Sequence, residues 1–135
     1  MKILYISVLF HLILITNILH SENKNITITI DDLPYVTIIQ DSTIVHTMIS
    51  KIIQTIDKFN INPVGFVITD KFHPQSKTLS LNNAIMNLWV NSGIELGSHS
   101  YSHLEYNTSS FEEMKQDIIK GEEYFYKFTK RHSRY

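Results

Sequence analysis

Two imidazoles stand four positions apart in Gly93-Ile94-Glu95-Leu96-Gly97-Ser98-His99-Ser100-Tyr101-Ser102-His103, directly after a short apolar run. Residues at i and i+4 of a helix or tight turn project from the same side, so His99 and His103 can each offer a neutral ring nitrogen to one cation. The spacing is that of the His-Glu-x-x-His pattern, but Ser100 stands where that pattern carries the carboxylate that activates water. A hydrolytic divalent site wants a third protein ligand and an open position, and a carboxylate suits hard and borderline cations. The obvious donors are Asp31 and Asp32, which end the β-branched run Asn25-Ile26-Thr27-Ile28-Thr29-Ile30 and precede Leu33-Pro34-Tyr35. The chain contains no cysteine, which excludes thiolate ligands and disulfides, so His, Asp or Glu must hold any metal.

These groups need a scaffold that brings distant segments to one rim. The run ending at Asp31 and Asp32 reads as a buried strand. Asp41-Ser42-Thr43 offers an N-cap for a helix over Ile44–Phe59, whose Val45, Met48, Ile49, Ile52, Ile56 and Phe59 recur at helical spacing as one apolar face. Asn60-Ile61-Asn62-Pro63 stops it, and Val64–Ile68 is a continuous apolar run fit for a strand covered on both sides. Thr69–Lys77 reads as a polar loop. A second helix over Leu81–Asn91 would bury Ala84, Ile85, Leu88 and Trp89, with Gly93 placed to end it in a left-handed conformation before a third strand, Ile94–Gly97. Ser110 and Glu113 form a capping box, and Phe111, Met114, Ile118, Phe125 and Phe128 line one side of a long helix. Gly121 falls on that side, where the missing side chain permits close approach of a neighbour, at about 1 kcal/mol of helix propensity. Strand, helix, strand, helix, strand, helix implies an α/β fold with a parallel sheet and right-handed crossovers. Functional groups in such folds collect at the carboxyl ends of strands, where both halves of the proposed site fall. Because neighbouring strand residues face opposite ways, Asp31 and Asp32 can both reach the site only if the chain turns there.

Thr29-Ile30-Asp31-Asp32-Leu33-Pro34 resembles the first motif, and His99-Ser100-Tyr101-Ser102-His103 the second, of the polysaccharide deacetylase family, the chitooligosaccharide-deacetylase-like carbohydrate esterases. The resemblance runs over roughly residues 26 to 130. It implies a distorted (β/α) barrel, here about three parallel strand-helix units over residues 22–135; the hydrophobic stretch over residues 1–21 reads separately as a leader helix in front of it. The resemblance also implies that Asp31 is the general base, that Asp32, His99 and His103 are ligands of a divalent metal, zinc foremost, and that the substrate is an N-acetylated glycan. A closed α/β barrel takes about 200 residues or more. The family's later motifs, including an arginine-proline-tyrosine-type segment and the histidine acid, have no counterpart here, so the sequence reads as a truncated front part. The remaining alternative is a non-catalytic remnant that binds metal or pairs through an open sheet edge with a complementary chain.

Taken singly, the signals are weak. An Asp-Asp pair after a strand is commonly an Asx turn or a cap, and a His-x3-His pair commonly a surface pair. His46 and His73 read as helix-face and loop residues. With 135 residues, 43% of them hydrophobic, and a net charge of -1, the composition is globular and gives room for one domain. No basic stripe and no Lys/Arg-interleaved aromatics suggest nucleic acid as a partner. Lys127, Lys130, Arg131 and Arg134 suit a helix C-terminus. Lys2 followed by the mostly apolar Ile3–Leu19 and the polar Ser21-Glu22-Asn23-Lys24 is the layout of a secretory signal peptide, an uncleaved anchor being the alternative, and implies a secreted, periplasmic or envelope location. Contact with a membrane is expected only through that leader.

Overall fold

A computed structural model describes residues 25–39, 41–131 and 133–134. The expected leader, residues 1–21, lies outside them. Among the described residues three strands alternate with three helices: β1 (Thr29–Leu33), α1 (Ser42–Lys58), β2 (Val64–Val67), α2 (Leu79–Asn91), β3 (Glu95–Ser98) and α3 (Phe111–Thr129), with a 3-10 turn at Thr69–Phe72. The strands form one parallel sheet in the order β1-β2-β3, with Thr29 opposite Val64 and Val64 opposite Glu95. Parallel pairing puts the carboxyl ends of all three strands on one edge of the fold, and with them the residues that follow Leu33, Val67 and Ser98.

Local chemistry sets the ends of the helices. The Asp41 carboxylate accepts from the Thr43 and Ile44 amides at 2.8 and 3.1 Å, capping α1. The Ser110–Glu113 capping box opens α3, each side chain reaching the other's backbone amide. Gly93, at φ 77°, closes the C-terminal turn of α2, donating its amide to the Val90 carbonyl. Helices α1 and α2 pack on one another, and α3 packs on β3 and the 3-10 turn. All contribute to one core: Leu33, Val45, Ile49, Val67, Ile85, Met86, Trp89 and Phe125. No helix among the described residues is long and apolar enough to cross a membrane.

Several predicted faces are rotated. On α1 the stripe that meets the core is Val45, Ile49, Ile53 and Ile56, while Met48, Ile52 and Phe59 are 46, 43 and 63% exposed. Met48 and Ile52 each sit one residue, about 100° of helix, away from a buried one. On α2, Ala84 is exposed and Asn82 and Met86 are buried with Ile85 and Trp89. On α3, Phe111, Ile118 and Phe128 are exposed, and the buried stripe is Asp117, Gly121 and Phe125 at i, i+4 and i+8. That stripe lies against the histidine segment, which rewards an acceptor and a small residue more than bulk. The expected polar loop after β2 includes the 3-10 turn, with Thr69 buried.

Candidate metal centre

Asp32 is the penultimate residue of β1, with its backbone at φ 62°, and the β1–β2 register shifts between Ile30 and Leu33. The strand's strict alternation is therefore broken at this residue. The adjoining turn is fixed from two other elements. Trp89 of α2 donates its indole N–H to the Pro34 carbonyl at 2.9 Å, and the Lys71 ammonium donates to the carbonyls of Asp32 and Tyr35, both at 2.9 Å. Burial pushes the Tyr35 hydroxyl above its ordinary value.

The histidines sit on a segment that extends the β2–β3 pairing. The His99 amide donates to Val67, and the amides of Thr69 and Asp70 donate to the Ser100 and Tyr101 carbonyls. From the helix side, the Asp117 carboxylate accepts from the amides of Tyr101 and Ser102 at 3.1 Å and from the Ser102 hydroxyl at 2.6 Å. Burial alone would push the Asp117 carboxyl up; the hydrogen bonds from Ser102, Ser100 and Tyr101 outweigh it and hold the group below the usual carboxylate range. One turn further on, a Cβ at Gly121 would collide with the Ser100 backbone and come within 2.6 Å of the Tyr101 amide nitrogen. The Lys120 ammonium lies 3.6 Å from the centre of the Tyr101 ring. So anchored, the segment carries Ser100 at φ 64° and His103 at φ 56°. Three of the five described non-glycine residues with positive φ are thus Asp32, Ser100 and His103. Such conformations cost about 1–3 kcal/mol each and gather where surrounding structure imposes a functional geometry.

The result is a convergence of three side chains. Asp32 Oδ1 lies 3.4 Å from His99 Nε2 and 3.7 Å from His103 Nε2, and one donor atom from each residue falls within 4.8 Å of the others. Bonds of about 2.0–2.2 Å to a tetrahedral cation separate its ligand atoms by about 3.3–3.6 Å, so the two contacts suit ligands that share an ion. Asp32 Oδ1 is shielded from solvent and has no hydrogen-bond partner among the described residues. Both imidazole contacts are too long for good hydrogen bonds. A divalent ion would satisfy all three groups at once, and the set fits one.

Asp31 is not drawn into this cluster. It is exposed, and its carboxylate makes no hydrogen bond or ion pair among the described residues. Sequence reasoning missed Asp117, Lys71 and Thr69, whose hydroxyl contacts the Ser100 carbonyl at 3.3 Å. Asp117 carried a usable signal: an acid at the spacing of the buried stripe, four residues before the glycine singled out for close approach. Lys71 carried none, because its partners are backbone carbonyls far away in the chain.

The polysaccharide deacetylase family model matches residues 20–135. The chain belongs to that family. Solved structures share its fold at low identity. They include a CE4 family pseudoenzyme from Bacillus anthracis (18% identity, TM-score 0.59, 85% of this chain and 35% of that one) and the peptidoglycan deacetylase PdaC from Bacillus subtilis (19%, 0.57, 82% and 46%). A third is the CE4 domain of a multidomain xylanase from the hindgut metagenome of Trinervitermes trinervoides (20%, 0.54, 79% and 44%). This chain spans less than half the length of each. A comparison with curated proteins finds no match. The three parallel strands and their helices correspond to part of a deacetylase-type barrel.

Proposed function

We propose that Asp32, His99 and His103 hold one divalent cation, zinc being the best match to two imidazoles and a carboxylate, and that the centre serves hydrolysis of a non-peptide carbon–nitrogen bond. The reaction is removal of N-acetyl groups from a glycan such as chitooligosaccharide or peptidoglycan. The observation that carries this reading is the shielded, unpartnered Asp32 Oδ1 facing two imidazoles, in a chain of the polysaccharide deacetylase family. When bound, the cation supplies Lewis-acid polarisation of an acyl oxygen and brings the pKa of a water from about 15.7 to about 7. Asp32 and the two histidines fix its position. His103, with its side chain 54% exposed, leaves one flank open to a ligand. Asp31 is the general base that takes the water's proton, a role commonly worth about 100- to 10,000-fold. The leader-like residues 1–21 support a secreted or envelope location, where acetylated cell-wall glycans are found.

A second reading is favoured by one observation: one solved relative of this fold, the Bacillus anthracis protein BA3943, is a pseudoenzyme, and a mutant of it has restored enzymatic activity. On that reading the chain binds metal and does not turn substrate over. Acetate release from acetylated chitooligosaccharide by the purified 135-residue chain with one equivalent of zinc separates the two. Turnover lost in Asp31→Ala supports the hydrolase. Zinc binding without acetate release supports the non-catalytic reading.

A further inference from the structure

We propose that Lys71 is a positioning residue for the metal centre: by joining the Asp32 and Tyr35 carbonyls, its ammonium holds Asp32 in the left-handed conformation that faces its carboxylate toward the two imidazoles. The inference rests on reading Asp32, His99 and His103 as metal ligands.

Left-handed backbone at a non-glycine residue persists only when the surroundings over-determine it. The Asp32 carbonyl belongs to the residue with the strained φ, and its partner is the Lys71 Nζ at 2.9 Å. The same nitrogen reaches the Tyr35 carbonyl at 2.9 Å, so one ammonium spans the two ends of the turn that leaves β1. Three donors on a single tetrahedral nitrogen suit two carbonyls at once; an apolar side chain has no equivalent. The lysine is itself pinned. Its own carbonyl accepts from Asn82 Nδ2 at 2.7 Å, and Asn82 is buried on α2. The preceding amide, that of Asp70, donates to the Tyr101 carbonyl at 2.9 Å, tying the 3-10 turn to the histidine segment. Lys71 therefore links the strand bearing the carboxylate to the segment bearing the imidazoles. Burial lowers the affinity of Lys71 for its proton, while the Asp32 and Asp70 carboxylates oppose that change. Its cation also stands near the incoming metal, and the repulsion between them works against binding. The proposal thus makes a signed claim, since positioning must outweigh charge.

The test uses the full chain in zinc titrations by calorimetry and in cobalt titrations by visible absorption, well below the melting temperature of each apo form. Lys71→Met should bind zinc about 10- to 100-fold more weakly, the range for losing an outer-shell partner, with an altered cobalt spectrum. Lys71→Arg, which keeps charge and several donors, should recover most of the affinity. A merely structural lysine would lower the apo melting temperature and leave the affinity of the folded chain unchanged; that result overturns the proposal. Tighter zinc binding by Lys71→Met also overturns it, because charge would then dominate. Should Lys71→Met not fold, Lys71→Gln, too short to reach both carbonyls, carries the same expectation, and wild-type affinity in it is fatal. A wild-type chain that binds no stoichiometric zinc defeats the underlying metal reading, whereas a wild-type chain that binds and variants that match it defeat only the role of Lys71.

Discussion

Asp117 shows how a single carboxylate can organise a site it does not enter. It accepts from two consecutive backbone amides and a hydroxyl, holding the Ser100–Ser102 segment while the histidines at either end of it face Asp32. Hydrogen bonds to a charged group are worth about 1.5–3 kcal/mol, and removing the acceptor leaves amides unsatisfied. Asp117→Ala should therefore lose about 2–3 kcal/mol in urea denaturation at pH 7. The sign with pH follows from the depressed folded value. The stabilisation is complete above the unfolded carboxyl's value of about 3.9 and disappears as pH falls through the lower folded one. Wild-type stability should accordingly drop below about pH 4, and Asp117→Asn should show a flatter profile there, read by melting temperature against pH. At this scale residue type and spacing singled out Asp32, His99 and His103, the three side chains that the structure brings together. The sequence disclosed Asp117 only weakly, because a buried acid on an amphipathic helix looks like a flaw in the stripe until its partners are known. Lys71 and Thr69 were illegible, since backbone acceptors leave no mark on the side-chain pattern.

Helix α3 presents Asp117, Gly121 and Phe125 as one buried stripe, in which acid, bare backbone and ring each meet a different neighbour. At Gly121 the helix packs directly against the Ser100–Tyr101 backbone. Gly121→Ala gains about 1 kcal/mol of helix propensity but forces a methyl group into the Ser100 and Tyr101 backbone, where overpacking typically costs about 1–3 kcal/mol. The variant should melt at lower temperature and also bind zinc more weakly, because the strain is delivered to the segment carrying both imidazoles. Unchanged zinc affinity would mean that the segment relaxes without moving His99 and His103. Element order, the capping box at Ser110 and Glu113, and the left-handed Gly93 were all legible, because caps and turns depend on a few local residues. Which side of each helix faces inward was legible only in part. Ala84, Met48 and Ile52 are apolar yet exposed, as rotation is set by the partner surface and not by the helix's own hydropathy.

At the scale of the molecule, the parallel sheet is what brings Asp32 and the two histidines, about seventy positions apart in the chain, within reach of one another. Parallel pairing sends the ends of all three strands to the same edge, and β2 between β1 and β3 sets the gap that Asp32 and the histidines close. The strand run and the two motifs made this layout readable from sequence, while the break in alternation at Asp32 and the separation of Asp31 from the cluster depend on a backbone conformation that side-chain identity does not specify. The division of labour between the two neighbouring acids is therefore the sharpest point of the account. The measurement that reaches it most directly is zinc stoichiometry by titration calorimetry on the full chain and three variants. The account predicts one zinc per chain for the wild type and for Asp31→Ala, and no stoichiometric binding for Asp32→Ala or His103→Ala. Equal loss in all three variants, or binding that survives Asp32→Ala, would contradict it.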